Sequence, residues 1–135
     1  MKGRILLVDD DPAMLKYCAR LLTYEKYSVT PCANAAEAAA AINSGERYDI
    51  LLTDFHLGDG YGAELIKLIK SVSPAAKAII MTGDENLSGT RGPGPDYADA
   101  ETLIKPFHTE RMLSSIRELL PARTGPAAAG RQLKI

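Results

Sequence analysis

Apolar residues in this chain fall into short unbroken runs, separated by stretches where they recur every third or fourth position. Arg4-Ile5-Leu6-Leu7-Val8, Asp49-Ile50-Leu51-Leu52-Thr53 and Ala78-Ile79-Ile80-Met81 are runs of the kind a parallel sheet buries on both faces. Two weaker runs complete the set: Tyr27 to Thr30, a strand placed nearer an edge, and Thr102-Leu103-Ile104, a short fifth strand. Helical periodicity fills the gaps. Asp11-Pro12 places an N-cap acid before a proline at the first helical position, and Met14, Leu15, Cys18, Leu21 and Leu22 then form an apolar stripe. Asn34-Ala35-Ala36-Glu37 has the spacing of a capping box and opens an alanine-rich helix that stops at Gly45. A Gly-rich turn, Leu57 to Gly62, leads to a helix carrying Leu65, Ile66, Leu68 and Ile69, which Pro74 terminates. The last helix, roughly Glu110 to Leu120, presents Met112, Leu113, Ile116, Leu119 and Leu120 on one side.

One segment breaks the alternation. Ser88 to Asp96 reads SGTRGPGPD, with three glycines and two prolines, so the helix between the fourth and fifth strands is expected to be short, displaced or absent. From Pro121 the chain turns to Pro, Ala, Gly and Arg, which reads as a flexible tail or linker. The expected organisation is one domain over residues 1–120 and a tail over 121–135. Five strands alternating with helices predict a parallel sheet with helices on both faces.

Composition narrows the class without naming it. At 135 residues, 46% hydrophobic and 24% charged, the chain suits one soluble domain able to bury a core without staples. A net charge of −1 gives no pull toward nucleic acid or an anionic membrane, so direct binding to either is not expected. Cys18 and Cys32 lack metal-like spacing and read as reduced thiols. The apolar runs fall short of the roughly 20 residues a membrane helix needs, and Met1-Lys2-Gly3 runs straight into a strand. A cytoplasmic location is expected.

The chemistry lies where the strands end. In open α/β sheets, function gathers at the carboxyl ends of the strands. Here those ends carry Asp9 and Asp10, then Asp54, then Thr82, then Lys105. Three carboxylates brought together raise one another's pKa values, a conflict that a hard divalent cation such as Mg²⁺ removes. A carboxylate in that setting can attack phosphorus to give an acyl phosphate. The Lys105 ammonium and the Thr82 hydroxyl would hold other phosphoryl oxygens.

LLVDDDP at the first strand end, LLTDFHLGDGYG around Asp54, MTGD at the fourth strand and LIKPF at the fifth stand in the order and near the spacing of one family. Over roughly Lys2 to Leu120 the chain resembles the receiver domains of bacterial response regulators. The resemblance implies a flavodoxin-like doubly wound sheet of strand order 2-1-3-4-5. It implies that Asp54 is the phosphoacceptor, that Asp9, Asp10 and Asp54 bind Mg²⁺ (with Mn²⁺ able to substitute), and that the His56 backbone carbonyl completes the metal's protein ligands. Thr82 would be the switch hydroxyl, Lys105 the phosphate-facing lysine, and Pro106 the site of a cis bond. The implied phosphodonor is a histidine kinase or histidine phosphotransfer protein, with a homodimer or a downstream protein as the output partner. The domain would be a signalling switch rather than a metabolic enzyme.

The departures bear on the output. Gly58 stands where the family often has proline, and Thr102 where it usually has Tyr or Phe. Thr102 cannot fill the volume that an inward-swinging aromatic would. Asp11 is read as a helix cap only, His56 as exposed at the rim, and His108 as a surface residue near a helix start. Two other readings stay on the page. The D-x-D of Asp9 to Asp11 is similar to the motif of haloacid-dehalogenase-type phosphatases, in which Asp9 would be the nucleophile. A receiver that is never phosphorylated would have lost an acid, the Thr or the Lys, and none is lost here.

Overall fold

The computed structural model describes residues 2–83 and 100–120. Among these, five parallel strands form one sheet: β1 (Arg4–Val8), β2 (Ser28–Cys32), β3 (Ile50–Asp54), β6 (Lys77–Thr82) and β7 (Glu101–Ile104). The order across the sheet is β2-β1-β3-β6-β7, the expected 2-1-3-4-5 arrangement. A two-residue pair, β4 (His56–Leu57) and β5 (Gly60–Tyr61), forms a separate antiparallel hairpin just after β3. Four helices are described: α1 (Pro12–Tyr24), α2 (Ala35–Asn43), α3 (Gly62–Val72) and α4 (Thr109–Leu119). The expectation about Ser88 to Asp96, and that of a tail from Pro121, lie outside the described residues.

Alternation along the strands splits the interior into two cores. Leu6, Val8, Leu51, Ala78 and Ile80 face Ala38, Ile42, Leu65, Ile66 and Ile69 of α2 and α3. Ile5, Leu7, Ile50, Leu52, Ile79, Met81 and Leu103 face Cys18, Leu22, Met112, Leu113 and Ile116 of α1 and α4. Because both faces of β3 are covered, its five residues are all buried, which is why its sequence shows no alternation of polar and apolar positions. β2 lies at an edge and runs on through Pro31 to Cys32. The run Tyr27 to Thr30, with Cys32 read at a strand end, is thus one strand, Ser28–Cys32, because an edge strand tolerates a residue without an N–H.

The helix starts follow local chemistry. Asp11 accepts from the amide of Ala13 at 3.0 Å and caps α1, with Pro12 at its first position. Asn34 accepts from the amide of Glu37 at 2.8 Å, while the Glu37 carboxylate reaches one residue further back than in a regular capping box, to the amide of Ala33 at 2.8 Å. Gly45 has φ +96°, the left-handed geometry that ends α2 without the strain a side chain would meet.

Candidate functional site

Parallel register brings the polar strand ends to one edge. Val8 pairs with Thr53, so Asp9 falls level with Asp54. Asp54 pairs with Met81, and Thr82 with Ile104, so Thr82 and Lys105 each stand one step beyond the preceding strand. The ladder continues past the strands: the Phe55 amide donates to the Met81 carbonyl at 2.8 Å, and the Lys105 amide to that of Thr82 at 2.7 Å.

One carboxylate oxygen each from Asp9, Asp10 and Asp54 lies within 4.8 Å of the others. Asp9 is fully buried, Asp54 is buried with 7% of its surface exposed, and Asp10 is exposed at the mouth. The Lys105 ammonium stands 2.6 Å from Asp54 Oδ1 and 3.4 Å from Asp9 Oδ2. Asp9 also accepts from the amide of Asp11 at 2.9 Å, and Asp10 from the amide of Gly58 at 3.1 Å. Thr82 is buried at the end of β6. Burial, together with a hydrogen bond and charge from Asp9, pushes the Asp54 carboxyl up to about 7 against the opposing pull of Lys105. Burial draws the Lys105 ammonium down, but the contacts with Asp54 and Asp9 outweigh it and its pKa is raised.

The hairpin follows β3 directly and reaches the acid cluster through the Gly58 amide. His56 is exposed, as expected, and its ring meets that of Tyr61 edge-on at 4.9 Å. Phe55 meets the same tyrosine ring at 5.8 Å. Gly62 follows at the first position of α3, where its amide donates to the Phe55 carbonyl at 2.8 Å. A Cβ there would lie 2.4 Å from the backbone oxygen of Asp54, so only glycine fits this approach. The buried Thr53 hydroxyl donates to that same oxygen at 3.0 Å. The Gly-rich turn expected over Leu57 to Gly62 is present as a hairpin, but Gly58, Asp59 and Gly62 were not singled out in the sequence as serving the site; Gly58-Asp59 between short flanks is a two-residue signal that could have shown the hairpin.

A family model described as response regulator receiver domain matches residues 5–117. The chain belongs to that family. Among curated response regulators, it is 32% identical to the receiver protein CpdR of Brucella abortus, over 88% of this chain and 98% of that one. It is also 32% identical to the response regulator MprA of Mycobacterium bovis, over 98% of this chain but 56% of that protein. It spans about half the length of MprA and of TcrX, a probable transcriptional regulatory protein of Mycobacterium tuberculosis. The response regulator TrrA of Thermotoga maritima, solved in complex with Mg²⁺ and a beryllium fluoride, superposes with a TM-score of 0.76 at 28% identity, covering 89% of this chain and 100% of that one.

The receiver's expected residues Asp9, Asp10, Asp54 and Lys105 thus converge at one strand edge, with Thr82 at the neighbouring strand end. The Lys105–Pro106 bond is cis, as the resemblance implied. Asp11 turns away to cap α1, and His108 is an exposed N-cap of α4. No helix among the described residues is long and apolar enough to cross a membrane.

Proposed function

We propose that this receiver accepts a phosphoryl group on Asp54 from a histidine kinase or histidine phosphotransfer protein and acts as a conformational switch. The Asp54 carboxylate attacks phosphorus, an O–P bond forms, and the donor's P–N bond breaks. The leaving imidazole keeps the electron pair and takes a proton from solvent. Lys105 orients the Asp54 carboxylate before attack and offsets charge on the phosphoryl oxygens afterwards, and the Thr82 hydroxyl donates a hydrogen bond to one of them. The observation that carries this reading is the 2.6 Å approach of the Lys105 ammonium to Asp54 within a cluster of three carboxylates.

The donor set fits Mg²⁺. It offers oxygen alone, and three carboxylates facing one ammonium leave an excess of negative charge in a half-buried pocket. Asp9, Asp10 and Asp54, with the His56 backbone carbonyl, would hold the cation, and Mn²⁺ could replace it. A bound divalent cation supplies charge neutralisation at the phosphoryl oxygens. The domain catalyses only its own aspartyl phosphorylation and dephosphorylation, works in the cytoplasm, and passes its state to a protein partner or a second copy rather than to nucleic acid.

The test is labelling by acetyl phosphate and Mg²⁺, read by intact mass and by reductive trapping of the acyl phosphate. Asp54 should carry the label, and Asp54→Asn should lose it. Equal labelling of the substituted protein, or trapping at Asp9, overturns the assignment.

A further inference from the structure

The turn Gly58-Asp59 at the tip of the β4–β5 hairpin contributes no ligand to the acid cluster, yet it is bonded to it. The Gly58 amide donates to Asp10 Oδ2 at 3.1 Å. Asp59 accepts from the amides of Ala35 at 2.8 Å and Ala36 at 3.0 Å, the first two of α2. The Ala35 amide, joined by that of Ala36, holds the Asp59 carboxyl below its ordinary range, so it is an anion at neutral pH. Asn34 already takes the third free amide of that turn through Glu37. Asp59 therefore completes the end of α2 from a different segment of the chain.

The three acids are held unequally. Asp9 is fixed by burial, by the Asp11 amide and by Lys105; Asp54 is fixed by β3 and by Lys105. Asp10 is exposed, and among the described residues the Gly58 amide is the one group that hydrogen-bonds its carboxylate. A proline at position 58 would have no hydrogen to donate. A carboxylate whose second oxygen is held by a neighbouring donor presents its other oxygen with less rotational freedom to lose on binding.

We propose that Gly58 and Asp59 form a positioning strap for Asp10: Asp59 anchors the turn to α2, and the Gly58 amide aims the Asp10 carboxylate into the cluster, tightening divalent-cation binding. The inference rests on the metal reading above. It makes Asp59, which is no ligand, a determinant of cation affinity acting through Gly58 and Asp10. A simple helix cap would affect the stability of the fold but not this affinity.

Mn²⁺ titrations of the full chain, followed by the paramagnetic resonance of free Mn²⁺, measure the affinity; urea unfolding in metal-free buffer measures stability. Gly58→Pro should weaken Mn²⁺ about tenfold. Gly58→Ala keeps the amide, and its Cβ would stand at an ordinary 3.7 Å from Asp10, so it should lose far less. Asp59→Ala should weaken Mn²⁺ about threefold, a fraction of a full outer-shell loss, and Asp59→Asn, which retains an acceptor oxygen, should recover part of that. The effect of Asp59→Ala should vanish in an Asp10→Ala background, the coupling that distinguishes a strap from a cap. If Gly58→Pro does not fold, the Asp59 and Asp10 variants carry the test alone. A wild type that binds no Mn²⁺, or binds it no better than Asp10→Ala, overturns the metal reading and the strap together. A wild type that binds through Asp10 but is matched by Asp59→Ala overturns the strap alone, as does an equal Asp59→Ala loss with and without Asp10.

Discussion

Gly62→Ala isolates how tightly the helix after the hairpin is set against the backbone of Asp54. The added Cβ would stand 2.4 Å from the Asp54 carbonyl oxygen and 2.9 Å from Thr53 Cγ2. A carbon–oxygen contact without strain begins near roughly 3.3 Å, so one side must retreat by about 0.9 Å. Asp54 has little room, because β3 is paired on one side with β1 and on the other with β6. The start of α3 must move instead, lengthening the 2.8 Å bond from the Gly62 amide to Phe55. Alanine would gain at most about 1 kcal/mol over glycine from helix propensity, whereas overpacking against a fixed backbone costs about 1–3 kcal/mol. The net expectation is a loss of about 1–2 kcal/mol in urea unfolding. Because β3 holds Asp54 in place while α3 gives way, acetyl phosphate labelling should change far less than stability does. A Gly62→Ala protein as stable as wild type refutes the reasoning, since the contact would then be soft.

Lys105→Ala should slow labelling about 10²-fold by removing a preorganised cation, while Thr82→Ala should retain labelling better than the beryllofluoride-induced change in amide spectra; a normal response in Lys105→Ala counts against its role. Ser115 is fully buried on α4 with no hydrogen-bond partner for its hydroxyl among the described residues, so Ser115→Ala should stabilise by about 1 kcal/mol, and a loss in urea unfolding would show that the hydroxyl is satisfied. Burial first, and then the Glu37 charge, push the Cys32 thiol from 9.0 up to about 11. The native state therefore holds that proton more tightly than the unfolded chain does: the thiol's contribution is complete below pH 9 and is lost as pH rises toward 11. The difference in stability between wild type and Cys32→Ala should shrink across that window, and a difference that does not change with pH would mean the thiol is more exposed than the fold indicates.

The sheet was readable because each central strand is buried on both faces, which leaves an unbroken apolar run ending abruptly in an acid or hydroxyl. The site was readable for the same reason, since Asp9, Asp54, Thr82 and Lys105 sit at those abrupt ends. What escaped notice depends on distance rather than on residue type. Nothing in the one-dimensional pattern shows that Gly62 lies against the Asp54 carbonyl, or that Asp59 reaches the amides of α2. Lys26 adopts φ 78° before β2 without a glycine or asparagine to announce the turn. Ser115 is a polar residue type with no mark of burial in the sequence, yet it is buried on α4 together with Met112 and Ile116.

The contact between Lys105 and Asp9 spans 96 positions of sequence, and that separation has a consequence for how the protein comes into being. A chain emerging from the ribosome as far as β6 already holds every acid of the cluster but lacks the Lys105 ammonium that faces Asp9 and Asp54. Closing so long a loop is entropically unfavourable until the intervening strands have docked. On the proposed role of Asp54, full competence to take a phosphoryl group would therefore arrive late, when β7 joins the sheet. On that reading a half-made receiver would label slowly, and the rate of labelling at Asp54 would follow completion of the fold.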